Sequence, residues 1–71
     1  MTELTNWSMR AGRGNEEIHG WVYQQTIGGQ ISRTLIPTTN EEIAFAIARS
    51  KPGLIWLRAY TIENGIKVVL A

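Results

Sequence analysis

Only one stretch of this chain, Pro37 to Gly53 (PTTNEEIAFAIARSKPG), carries helical signals, so any fold must place strands around a single helix. Thr39 and Glu42 stand at the spacing of a capping box, in which each side chain satisfies a free backbone N–H at the helix start. Glu41 and Glu42 in the first turn, and Arg49 and Lys51 in the last, suit the helix dipole. Pro52-Gly53 ends the helix, because proline breaks the ladder and glycine takes the left-handed turn readily. Ile43 and Ile47 are expected to form the buried stripe. Phe45 lies either at the far edge of a wide stripe running through Ala44 and Ala48, which is favoured, or on a partner surface.

The flanking segments read as two hairpins. Glu17 to Ile27 (EIHGWVYQQTI) is rich in β-branched and aromatic residues, and Gln30 to Ile36 returns after Gly28-Gly29, a pair that tolerates positive φ. That turn sets Trp21 opposite Ile36, Val22 opposite Leu35 and Tyr23 opposite Thr34. Ile18, Val22, Ile31 and Leu35 then share one side, and His19, Trp21, Tyr23, Ile27 and Ile36 the other. Downstream, Leu54 to Ile62 and Ile66 to Leu70 flank Asn64-Gly65, the strongest short-range hairpin signal. Here Thr61 falls opposite Val68 and Ala59 opposite Leu70. Ile55, Leu57, Ala59, Thr61, Val68 and Leu70 suit the core, while Trp56, Arg58, Tyr60, Ile62, Lys67 and Val69 face away. Leu4 to Arg10 is a weaker strand, with Thr5, Trp7 and Met9 on one side; residues 11–15 read as loop.

The resulting order, β-β-β-α-β-β, points to an α+β fold in one domain over residues 1–71, with residues 1–16 a weak first strand plus loop. The expected architecture is antiparallel hairpins in an open sheet with the helix on one face. A five-stranded barrel of the OB type, whose helix falls at the same place in the order, is the alternative. Short loops favour the open sheet.

Composition removes several functions. A chain of 71 residues without cysteine has no disulfide or thiolate–metal staple and buries only about 60% of its unfolded surface. Association with a second copy or a partner is therefore expected. The net charge of +1 is far from that of a dedicated duplex-DNA binder. The longest apolar run, Ile43 to Ala48, is too short to span a membrane, and no leader pattern opens the chain, so a cytoplasmic location is expected.

Catalytic signals are missing. There is no aspartate and no phosphate-loop motif. Gly12-Arg13-Gly14 precedes a strand rather than a helix, so it reads as a flexible connection and not a phosphate cradle. His19, the only histidine, stands two residues from Glu17, but two ligands do not hold a metal. No catalytic, cofactor or metal residue is assigned, and an enzyme is not expected.

Binding chemistry is better represented. Trp21, Tyr23, Trp56 and Tyr60, with Arg58 and Lys67 between them, are expected to project from the sheet face away from the helix. Such residues are the ones interface cores prefer. The expected function is a non-enzymatic protein–protein interaction module. A homodimer is the favoured form, with another protein partner beside or instead of it, as a stand-alone adaptor or an inhibitor of the kind mobile elements encode. The alternative is a single-stranded nucleic-acid binder, with rings for base stacking and cations for phosphate. The near-neutral charge favours the protein partner.

Overall fold

The computed structural model describes residues 7–71. Within them the chain forms β1 (Trp7–Arg10), β2 (Gly20–Ile27), β3 (Gln30–Ile36), α1 (Glu41–Ala48), β4 (Leu54–Glu63) and β5 (Ile66–Leu70), in the expected order. Residues 4–6 of the expected first strand lie outside the described residues. All five strands join one sheet in the order β1-β5-β4-β2-β3. The edge strands β1 and β3 do not meet, so the sheet is open and the barrel alternative is not supported. The sheet is also mixed: β1 runs parallel to β5, while the other pairs are antiparallel.

Both tight turns form as their residues require. Gly28 and Gly29 have φ of 59° and 80°, and Asn64 and Gly65 have 54° and 76°, the positive pairs of a type I′ turn. The registers follow: Trp21 pairs with Ile36, Tyr23 with Thr34, and Thr61 with Val68.

The helix departs from expectation at its cap, its length and its buried face. Asn40, not Thr39, is the N-cap, and its side-chain oxygen accepts from the N–H groups of Glu42 at 2.9 Å and Ile43 at 3.2 Å. The Thr39 carbonyl accepts instead from the Trp21 indole N–H at 3.3 Å. Asn40→Ala should therefore cost about 1 kcal/mol in a denaturant titration. Thr39→Ala should cost clearly less, and the reverse order would restore the Thr39 cap.

The helix ends at Ala48 with Arg49 as C-cap, so Arg49 and Lys51 stand beyond its last turn. The buried stripe is Ala44 and Ala48, packed on Tyr23 and Ile36 with Trp21 and Leu57 beside them. Ile43, Ile47 and Phe45 are exposed, Ile43 by 50% and Phe45 by 57%. The reason is volume: the sheet already presents large rings beneath the helix, and only methyl side chains let its backbone approach. Ile55 also leaves the expected core. An irregularity in the β2–β4 register, between Gln24↔Trp56 and Gln25↔Leu54, skips Ile55, which is exposed.

A second core lies on the helix-free side. Val22, Tyr60 and Val69 are buried there, with Trp7, Leu35 and Trp56 packed against them. Both sheet faces thus bury apolar groups, though only one carries the helix.

Candidate interaction face

The pairing of β2 with β4 decides which aromatic groups share a face. Trp21 pairs with Ala59 and Tyr23 with Leu57, so Trp21 and Tyr23 lie on the helix side of the sheet. The expectation that they project away from the helix is corrected by this register. Tyr23 is core beneath α1, and Trp21 lines an open groove of about 660 Å³ with Phe45, Leu54 and Leu57. Trp56, Arg58, Tyr60 and Lys67 do occupy the helix-free face. Trp7, Met9 and Arg33 join them, because Trp7 pairs with Lys67, Met9 with Val69, and Arg33 with Gln24.

On this face each cation is held against an aromatic ring or a polar neighbour. The Arg58 guanidinium lies 4.7 Å from the Trp56 ring centre and donates to Met9 Sδ at 3.3 Å. Arg33 lies 5.8 Å from the same ring, and its Nε donates to Gln24 Oε1 at 2.8 Å. The Lys67 ammonium is 5.8 Å from the Trp7 ring, which meets Tyr60 edge-on at 5.5 Å. Tyr60 lies across Gly20, where a Cβ would come within 2.8 Å of the ring and its hydroxyl. Attraction to the ring quadrupoles, about 0.5–1 kcal/mol for each at the surface, biases all three charges toward the rings.

No carboxylate among the described residues answers them. Among the described residues the acids are Glu16 and Glu17 in the β1–β2 connection, Glu41 and Glu42 on α1, and Glu63 at the end of β4. Glu63 alternates with Ile62 and reaches Arg10, at 2.6 Å, on the other side of the sheet. None of the five occupies a strand position on the helix-free face. A net charge of +1 thus conceals a segregated distribution among the described residues, with Arg33, Arg58 and Lys67 on a face where none of the described acids lies.

The glycine-rich connection does cradle an anion, but the chain's own. Glu16 accepts from Arg10 Nη1 at 2.7 Å, from the Arg13 N–H at 2.7 Å and from the Gly14 N–H at 3.1 Å. The segment Gly12-Arg13-Gly14 lies in a loop, as expected, and its backbone N–H groups bind the chain's own carboxylate. Arg10 first, and then the Arg13 amide, lower the Glu16 carboxyl from 4.5 to about 2. This contribution to stability is complete above the unfolded carboxyl's pKa of 4.5 and is lost as pH falls through about 2. The thermal midpoint should therefore drop across that acid range, and Glu16→Gln should flatten the drop. An equal slope in the variant would assign it to other carboxyls.

His19 does not form a relay with the Glu17 carboxylate. The strand begins at Gly20, and His19 Nδ1–H donates to the Glu17 carbonyl at 3.1 Å, with Thr61 Oγ1 at 3.4 Å. No group of three His, Asp or Glu residues able to hold a metal exists among the described residues. No helix among them is long and apolar enough to cross a membrane. Compared with known proteins, the chain matches no family model, no curated protein and no solved structure.

Proposed function

We propose that this chain is a protein-interaction module of the adaptor or inhibitor kind, and that its helix-free sheet face docks an acidic surface of a different protein. The observation that carries the reading is the cluster of Arg33, Arg58 and Lys67 over Trp7 and Trp56, on a face with no acid among the described residues. Cations already held by rings lose little side-chain freedom on meeting a carboxylate, so more of the interaction appears as affinity. Trp, Tyr and Arg are also the residues in which interface energy concentrates. A second copy is the poorer match, because a two-fold pairing of this face with itself would set cations against cations.

The same charges give single-stranded nucleic acid a second reading. A stacking platform needs accessible ring faces. Tyr60 is only 9% exposed, and the Arg58 guanidinium sits over Trp56. Amide and indole resonances followed during titration with poly-L-glutamate, and separately with oligothymidylate, distinguish the two. Poly-L-glutamate is expected to shift Trp7, Trp56 and the neighbouring β4 amides, and Arg58→Glu should abolish those shifts. Tighter, Trp56-quenching binding of oligothymidylate would replace this reading with the nucleic-acid one. A dimer in light scattering that Arg58→Glu dissociates would assign the face to self-association.

A further inference from the structure

We infer that the outer edge of β3 accepts an extended strand from the acidic partner, which enlarges the sheet while its side chains meet the cationic face. The inference rests on the face reading above and adds how the partner enters.

β3 is a sheet edge of seven residues; the opposite edge, β1, has four among the described residues. Its pairing with β2 runs without irregularity from Trp21↔Ile36 to Ile27↔Gln30. Edge strands are usually blunted by proline, a charged side chain or a bulge. Within Gln30–Ile36 there is no proline or bulge, the one charge is Arg33, which disfavours a cationic strand but not an acidic one, and Ile31 is 65% exposed.

The turn settles which backbone groups are free. A two-residue hairpin closes on a hydrogen-bonded pair, here Ile27↔Gln30, and such pairs recur at every second position. Ser32, Thr34 and Ile36 therefore direct their N–H and C=O groups to β2. Ile31, Arg33 and Leu35 direct theirs outward, and no hydrogen bond to those groups exists among the described residues. The parity is confirmed on the far side of β2, where the Thr26 N–H, opposite Ile31, points away from β3 to the Gly53 carbonyl at 2.8 Å.

The same three residues, paired with Thr26, Gln24 and Val22, lie on the helix-free face. An added antiparallel strand would place its alternate side chains beside Leu35, Arg33 and Ile31. The complementary sequence is apolar–x–acidic–x–apolar, with the carboxylate beside Arg33. A second copy fits less well, since the register that matches Ile31 with Leu35 sets two Arg33 side chains side by side.

The probe is the heptapeptide Thr-Val-Thr-Glu-Thr-Val-Thr, added to the full chain during amide hydrogen exchange. The expected result is protection of the Ile31, Arg33 and Leu35 amides with no change at Ser32 and Thr34. Replacing the peptide's glutamate by lysine should weaken binding about tenfold or more. Ile31→Pro, which removes an outward N–H and no hairpin bond, should do the same. If that variant does not fold, the exchange pattern of the unaltered chain decides alone. Should the peptide bind without protecting these amides, and Arg58→Glu still weaken it, the strand is overturned and the face reading stands. If neither the peptide nor poly-L-glutamate binds, both fall. A dimer that Ile31→Pro dissociates would give the edge to a second copy and overturn the inference.

Discussion

Gly53→Ala is expected to destabilise the chain by about 2–5 kcal/mol, the largest effect of any single methyl group added to it. Gly53 joins the helix to β4 with φ of 66°, and a Cβ there would overlap the Thr26 carbonyl oxygen. The left-handed backbone contributes about 1–2 kcal/mol for any L residue. Displacing β2 backbone to make room adds about 1–3 kcal/mol. That backbone cannot move freely, because the Thr26 N–H donates to the Gly53 carbonyl at 2.8 Å. A domain of 71 residues has a total stability of roughly 4–10 kcal/mol, so the variant should be largely unfolded at moderate urea. Gly28→Ala is the control: its φ is 59°, but nothing lies within 4 Å of the place its methyl group would take. Equal urea midpoints for the two variants would show that the close approach to Thr26 is unimportant.

Tyr60→Ala should cost about 3–5 kcal/mol, as expected for removing a buried aromatic group. The ring is held by Trp7 edge-on, by Gly20 beneath it and by the buried Val22 and Val69. Tyr60→Phe, which keeps the ring, should retain most of the stability. The contact with Gly20 can be isolated by a double-mutant cycle. Gly20→Ala should destabilise the chain while Tyr60 is present and be close to neutral once Tyr60 is alanine. Additive losses would mean that the ring does not depend on the bare backbone beneath it. Tyr60 is thus chiefly part of the fold, and the contacts proposed above fall to Trp56 and the three cations.

Within each hairpin, residue types determine the outcome. Gly28-Gly29 and Asn64-Gly65 demand the turns that form, and those turns set the registers around Val22 and Thr61. The relation between hairpins is not legible in the residues, because β2 meets β4 across a helix and no local chemistry sets that register. Periodicity alone therefore groups Trp21 and Tyr23 with Trp56 and Tyr60, although each hairpin has its own aromatic side and the two sides face oppositely. Arg33 is within reach of the sequence, since the hairpin register aligns it with Val22 and Leu35; the missing step is again β2 beside β4. Trp7 and Met9 alternate visibly, yet nothing in LTNWSMR indicates that this segment lies along β5. In the helix, periodicity finds the element but not its buried side. Small alanines outrank isoleucines only when the opposite surface is already crowded, and that depends on Tyr23 and Leu57.

The parallel pairing of β1 with β5 has a mechanical consequence. Trp7 lies beside Lys67 at one end of the ladder, and Arg10 beside Leu70 at the other. Tension applied to the two ends of the chain would pull β1 from the Trp7 end and β5 from the Leu70 end, in opposite directions along their length. The hydrogen bonds between them, continued by the Ala71 N–H to the Arg10 carbonyl at 2.8 Å, would then be loaded together in shear rather than peeled one by one. A chain stretched between two attachments would meet its greatest resistance at this ladder, and the hairpins behind it would remain folded until β1 slid free.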